Sequence, residues 1–292
     1  MANAIVIKDL KKYFGKTHAV DGVSFEVKKG EAFGFLGPNG AGKTTTIRTM
    51  MDFIRPTSGT VTIFGKDSQH DSVDLKEKIG YLPGNVRLNK NWTGFDHIRF
   101  VEGIRGGEHN AIELAARLDL NLSKKFKALS SGNKQKLGIV LALMYSPELL
   151  IMDEPTVGLD PLLQNEIYLM LEELKKKGTT IFISSHNLPE VERICDRVGI
   201  IKQGKIVAVE TLRELSKKRL HRVEVRFDEP IKVEDFNFDG VENLEEIPDG
   251  LIFSVGGDMN PVLNKLAKYK VADLSVSHAD LEEVFLKFYE RK

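Results

Sequence analysis

The run Gly37-Pro38-Asn39-Gly40-Ala41-Gly42-Lys43-Thr44, followed by Thr45, has the spacing G-x-x-x-x-G-K-[ST] in full. Residues of these types bind phosphate. The glycines let the backbone curl until its N–H groups point inward at phosphate oxygens. Lys43 adds a point charge for the outer phosphates. Thr44 adds a hydroxyl for Mg²⁺, and a helix starting near Lys43 adds its positive end. The apolar FGFL before the run and the helix-forming residues after it separate a phosphate cradle from a chance glycine-rich turn. The loop by itself does not choose the nucleotide.

Two further stretches carry chemistry. LLIMDE reads as a buried strand ending in Asp153 and Glu154. At the carboxyl end of a strand in an open α/β sheet, side chains point into the ligand crevice. Asp153 there suits Mg²⁺, held through water, and Glu154 suits the general base that polarises an attacking water. Strand alternation predicts that the two acids point in different directions. LSSGN, with Ser130, Ser131, Gly132 and Asn133, precedes an apolar helix carrying Leu137, Val140, Leu141 and Met144. Its place at a helix N-terminus fits a second anion site and fits equally an ordinary capping serine.

These residues need elements to hold them. IVIKDL and AVDGVSFEVKKGE alternate as strands, FGFLG and SGTVTIFG add two more, and residues 95–145 read as mainly helical. In AIELAARLDL, Ile112, Ala115, Ala116 and Leu118 fall near one face. The strand LLIMDE, a helix over Asn165 to Lys177, the strand TTIFISSH, a helix around Pro189 to Cys195 and a hairpin turning at Gln203-Gly204 imply a parallel sheet with helices on its faces. LRELSKKRLHR, Leu212 to Arg222, reads as a linker. Beyond it lies a small α+β domain: RVEVRFD with Val223, Val225 and Phe227 on one side, GLIFSV, the helix PVLNKLAKY, VADLSV, and a last helix with Leu281, Val284, Phe285 and Phe288 at helical spacing. The expected division is residues 1–214 and 215–292.

Composition narrows the classes. The 42 basic and 42 acidic residues cancel, so a general nucleic-acid binder is disfavoured. A single cysteine, Cys195, rules out a disulfide within the chain, fits a reducing compartment and reads as a buried core residue. The N-terminus has no signal-like apolar stretch, and LGIVLALM is far short of the roughly 18 residues that a spanning helix needs.

Taken in order, these parts resemble the nucleotide-binding subunit of an ATP-binding cassette (ABC) transporter. Gly37 to Thr44 match the Walker A loop, LSSGN the signature usually written LSGGQ, Leu149 to Glu154 Walker B with its catalytic glutamate, and Gly158 to Asp160 the D-loop. His186, in SSHNLPEVE, matches the switch histidine that contacts the γ-phosphate, and Tyr13 the aromatic that stacks on adenine. The resemblance spans roughly Ala4 to Leu212. It implies an α/β P-loop NTPase (RecA-like) core with an antiparallel β subdomain and a helical subdomain. It also implies ATP and Mg²⁺ as ligands, with Glu154, His186 and Lys43 catalytic. Two copies would meet head to tail, the Walker A loop of one facing Ser130 and Gly132 of the other. A separate membrane permease would be driven from the cytoplasmic face, and the chain would reach the membrane only through it. The tail resembles that of the ABC-2 exporter group. A soluble ABC ATPase or a P-loop kinase are the alternatives; the single cassette and LSSGN upstream of Walker B speak against both.

The chain departs from the family at three positions. Gly84, in KIGYLPGNVRL, stands where the family has a glutamine that reaches Mg²⁺ or the attacking water; either Asn85 or a water molecule covers that role incompletely, so that coupling is compromised here, or the contact is dispensable. Ser131 and Asn133 replace the second glycine and the glutamine of the signature. Trp92, Phe95 and Phe100 lie where the permease would dock, or in the helical core.

Overall fold

The computed structural model describes residues 2–217, 220–238, 240–256 and 258–278. The chain divides into two compact units, Met1–Glu210 and Thr211–Lys292.

The first unit opens with two long strands, β1 (Asn3–Phe14) and β2 (Thr17–Lys28), paired antiparallel. β3 (Ala32–Leu36) is buried at every position and leads through the glycine loop into α1 (Lys43–Met50). β4 (Ser58–Ile63) and β5 (Lys66–Asp67) complete a four-stranded sheet of order β2-β1-β4-β5. α2 (Ser72–Lys78), which the sequence reading missed, enters β6 (Ile79–Leu82).

The helical region contains α3 (Gly94–Arg105), α4 (Ala111–Arg117) and α5 (Ser131–Leu143). A reciprocal Thr93–Asp96 capping box starts α3. The buried face of α4 and its exit differs from the one expected: Ala111, Leu114, Ala115 and Leu118 are inside, whereas Ile112 and Ala116 face out. α4 packs on α5, and Ala111 and Leu114, at i, i+3 spacing, share its buried side.

The chain continues through β7 (Leu149–Asp153), α6 (Pro161–Lys176), β8 (Thr180–Ser185), α7 (Leu188–Ile194), β9 (Arg197–Lys202) and β10 (Lys205–Thr211). α6 begins four residues before the sequence expectation, because Asp160 caps it and Pro161 occupies its first turn. The second sheet has the order β10-β9-β3-β8-β7-β6, with β9, β3, β8, β7 and β6 parallel. β3, β7 and β8 are buried along their whole length, which is why they read as apolar runs rather than alternating ones. Phe25 of the first sheet packs among Phe33, Phe35 and Phe182 of the second, with ring centroids 5.3–6.0 Å apart. That aromatic block holds the two sheets together. Cys195 is buried and free.

The second unit contains α8 (Leu212–Lys217), β11 (Leu220–Phe227), β12 (Val241–Ile247), β13 (Gly250–Gly256), α9 (Asn260–Leu266) and β14 (Val271–His278). Its sheet is antiparallel, of order β12-β13-β11-β14. Val223, Val225 and Phe227 face its core with Phe236, Phe253 and Val262. Two expectations are corrected. Leu212–Lys217, part of the stretch expected to be a linker, is the helix α8, and residues 220–222 already belong to β11. Thr211 Oγ1 accepts from the Glu214 N–H at 3.2 Å and the Glu214 carboxylate accepts from the Thr211 N–H at 3.1 Å, a reciprocal pair that starts α8. The sheet also has a fourth strand, β12, hidden because Asn243 adopts φ 53° at a register shift and breaks the alternation of VENLEEI. The expected last helix lies outside the described residues.

Candidate functional site

The register of the parallel sheet creates the site. Leu36 pairs with Ser185, and Asp153 with Ser184. The loops leaving β3, β7 and β8 therefore emerge side by side at one edge, the carboxyl edge where open α/β sheets bind ligands.

Glycine is required in the first loop by close approach. A Cβ on Gly37 would come within 2.3 Å of the Ile201 carbonyl oxygen, and one on Gly42, at φ 108°, within 2.5 Å of the Ala19 oxygen. α1 then starts with no side-chain cap and no acidic residue in its first turn, so its N–H groups and positive end are left for an external anion. Asn39, Gly40 and Ala41 form the arch between. Lys43 is only 6% exposed. Its amine donates to the Gly37 and Pro38 carbonyl oxygens at 2.6 and 3.2 Å and lies 3.1 Å from Glu154 Oε1. The last is an ion contact without hydrogen-bond alignment.

Asp153 is buried and fully engaged. Thr44 donates its hydroxyl to Oδ2 at 2.8 Å, and the buried Ser184 hydroxyl donates to Oδ1. Glu154 leaves the strand with φ 53°, in the left-handed region. The two acids thus diverge because the backbone turns over at Glu154, not through the strand alternation expected from sequence. The Ser184 carbonyl accepts the Glu154 N–H at 3.0 Å. Its Oε2 pairs with His186 Nδ1 at 2.8 Å. Thr44, Asp153, Glu154 and His186 therefore line a cleft of about 530 Å³ together with Asn39, Arg48, Tyr81, Gly84, Asn85 and Arg87, and the Lys43 amine meets it through Glu154. Burial, with Asp153 second, pushes the Tyr81 hydroxyl up to about 12.

Gly84 touches the acid side of the cleft: a Cβ there would stand 3.1 Å from the Asp153 carbonyl oxygen and 3.5 Å from Oδ2. Other expected residues lie elsewhere. Ser130 caps α5, accepting the Asn133 N–H at 3.3 Å, with Ser131 and Gly132 in the first turn. None of these four lines the cleft. Asp160 accepts from the Leu163 N–H at 3.0 Å as the cap of α6. Tyr13 stacks on His18 at 3.9 Å and donates to Asp21 at 2.6 Å. Sequence reading missed Ser184, Arg48 and Arg87; the doubled serine before His186 was the available signal for the first.

Two neighbouring loops, a buried cationic amine and two carboxylates of different surroundings suit phosphate-ester chemistry. The model of the ABC transporter family matches residues 20–157. The linearmycin resistance ATP-binding protein LnrL of Bacillus subtilis is 40% identical over 215 residues, 71% of this chain and 69% of that protein. The chain belongs to the ABC transporter ATP-binding family. The bacitracin transport ATP-binding protein BcrA of Bacillus licheniformis is 36% identical over 301 aligned positions, 98% of this chain and 97% of BcrA, so the likeness extends through the second unit. Among solved structures, the dimeric MJ0796, a bacterial ABC transporter cassette, superposes with a TM-score of 0.66 at 25% identity, covering 72% of this chain and 99% of that one. The protein is thus an ATP-binding and ATP-hydrolysing subunit, and the cassettes of this family pair and work with a membrane permease. Among the described residues no helix is long and apolar enough to cross a membrane.

Proposed function

We propose that the chain is the ATPase subunit of an ABC-2 type exporter, acting as a head-to-tail pair of copies on the cytoplasmic face of a membrane through its permease. One observation carries the pairing. The proposed hydrolytic residues Thr44, Asp153, Glu154 and His186 line one cleft, whereas Ser130 and the polar first turn Ser131–Asn133 that it caps do not. A helix start with a serine hydroxyl is an anion site in search of an anion, and the partner's nucleotide supplies it. Relatives named for linearmycin resistance, bacitracin transport and Nod factor export favour export as the reading for this chain's permease.

ATP would lie over Gly37 to Thr45, its adenine against Tyr13. Lys43 directs its amine at Gly37, Pro38 and Glu154 oxygens. Binding is therefore an exchange, in which phosphate oxygens take over Lys43 and release Glu154 Oε1. Glu154 is then free to accept a proton from the attacking water, while His186, hydrogen-bonded at Oε2, fixes the carboxylate's orientation and reaches the γ-phosphate. The hard oxygens of Thr44 and Asp153, 2.8 Å apart, fit Mg²⁺. When bound there, Mg²⁺ would neutralise charge building on the phosphates. Asp160 would approach the seam from the D-loop.

Glu154→Gln keeps the shape of the base and removes its proton affinity. Turnover should fall at least about a hundredfold, and gel filtration with ATP should show a dimer that ADP does not support. A monomer under both conditions would sink the paired-site reading.

A further inference from the structure

The loop from Glu154 to Asp160 is held by α5, the helix that the signature opens. Gln135 on α5 is 8% exposed and donates its amide to the Pro155 carbonyl oxygen at 3.1 Å. Pro155 has no N–H, so this carbonyl is its one backbone polar group. A second contact lies at the other end of the loop. A methyl built on Gly132 would come to 3.8 Å of Leu159 Cδ2, so the first turn of α5 faces the buried Leu159. Behind the loop, Thr156 donates to Glu190, which also accepts from Ser185, the residue before His186. Gln164 of α6 donates to the Thr156 and Leu159 carbonyls at 3.4 and 3.1 Å.

Glu154 is the sensitive member of this set. A non-glycine residue at φ 53° is held there only by its surroundings. Its own N–H is fixed by Ser184, and the carbonyl of the next residue, Pro155, is fixed by Gln135. Ser130 and Gln135 are five residues apart on a stiff helix, about 7.5 Å along its axis. A push on the first turn of α5 therefore moves the amide that holds the catalytic turn.

We propose that Gln135 is a positioning residue that links the grip of Ser130 on the partner's nucleotide to the placement of Glu154 in its own cleft. The proposal rests on the paired-site reading. In such a pair each chain's α5 touches one nucleotide at its start and sets the base for the other through Gln135. Hydrolysis at either site is then conditional on the other being filled, and turnover depends cooperatively on ATP. A loop this strained needs small displacements only, because about 1 Å of misplacement is enough to cost up to a hundredfold in rate.

The test uses Gln135→Met in the full chain, which keeps the length and bulk of the side chain and removes the N–H. Turnover against ATP concentration should show kcat lower by about tenfold or more and a Hill coefficient falling to about 1 from the cooperative wild-type value. The melting temperature should stay within about 5 °C of wild type. Combined with Glu154→Gln, the variant should still dimerise with ATP. Unchanged kcat and Hill coefficient would overturn the proposal. So would a loss of activity accompanied by a larger fall in melting temperature, which is what a merely structural bond would give. Failure of Glu154→Gln alone to dimerise would instead remove the paired-site reading.

Discussion

A carboxylate that must accept a proton from water needs one oxygen held and the other available. Glu154, the base we propose, has that division, with Oε2 on His186 and Oε1 against an amine that phosphate would draw away. Asp153 has the opposite design, both oxygens taken by hydroxyls, which suits a fixed anchor rather than a base. Tyr81, beside them, gives a measurable consequence of burial. Its hydroxyl is raised to about 12 in the fold, against about 10 in an unfolded chain. Between those values the unfolded state loses the proton first and binds fewer protons, so stability falls as pH rises through the window. Tyr81→Phe removes this contribution. Urea midpoints taken from about pH 9 to 11 should decline less steeply in the variant than in the wild type. Identical slopes would mean that the hydroxyl is not buried as described.

At the scale of elements, three consecutive facts make the site: fully buried parallel strands, loops leaving at one edge, and helices whose starts are left open or capped. The loop after β6 is the departure. Gly84 leaves the space beside Asp153 without a side chain, and Asn85 and Arg87 line the same cleft. A glutamine at this position adds a polar amide to the cation side of the cleft but forces a Cβ to 3.1 Å from a backbone oxygen. Gly84→Ala isolates the crowding. Relative to Gly84→Ala, Gly84→Gln should raise steady-state ATPase turnover by roughly twofold or more. Equal turnover in both variants and in the wild type would discard the idea that coupling is compromised at Gly84.

On the scale of the whole molecule, the first unit presents an apolar face that its own core does not use. On α3, Phe100 is 53% and Ile104 74% exposed at i, i+4 spacing, Trp92 packs on Phe100 with centroids 5.2 Å apart, and Phe95, 39% exposed, lies on another side of the helix. Such a cluster marks an interaction surface more often than a solvated one, and it is our candidate for the permease contact. Trp92 is half-buried, so Trp92→Ala should lower recovery of the co-expressed permease on affinity purification. The melting temperature should drop by only a few degrees, about 2–4 °C per kcal/mol of lost packing. Full recovery of the permease would place its contact elsewhere.

The sequence determined the phosphate loop, the order of the motifs, the buried strands and the starts of α1 and α5. All of these are short-range patterns: a glycine spacing, an apolar run, a serine before a helix. It hid β12, whose alternation is broken at Asn243, and it presented α8 as a linker because Thr211, half of the Thr211–Glu214 capping pair, falls just outside the basic stretch Leu212 to Arg222. The tertiary structure alone decided that Lys43, Glu154 and His186 touch, since that depends on which of β3, β7 and β8 pair and in what register. It also decided the left-handed turn at Glu154 and the hold of Gln135 on Pro155. Those contacts join residues distant in the chain, and their partners are chosen by how the whole core packs rather than by any local spacing.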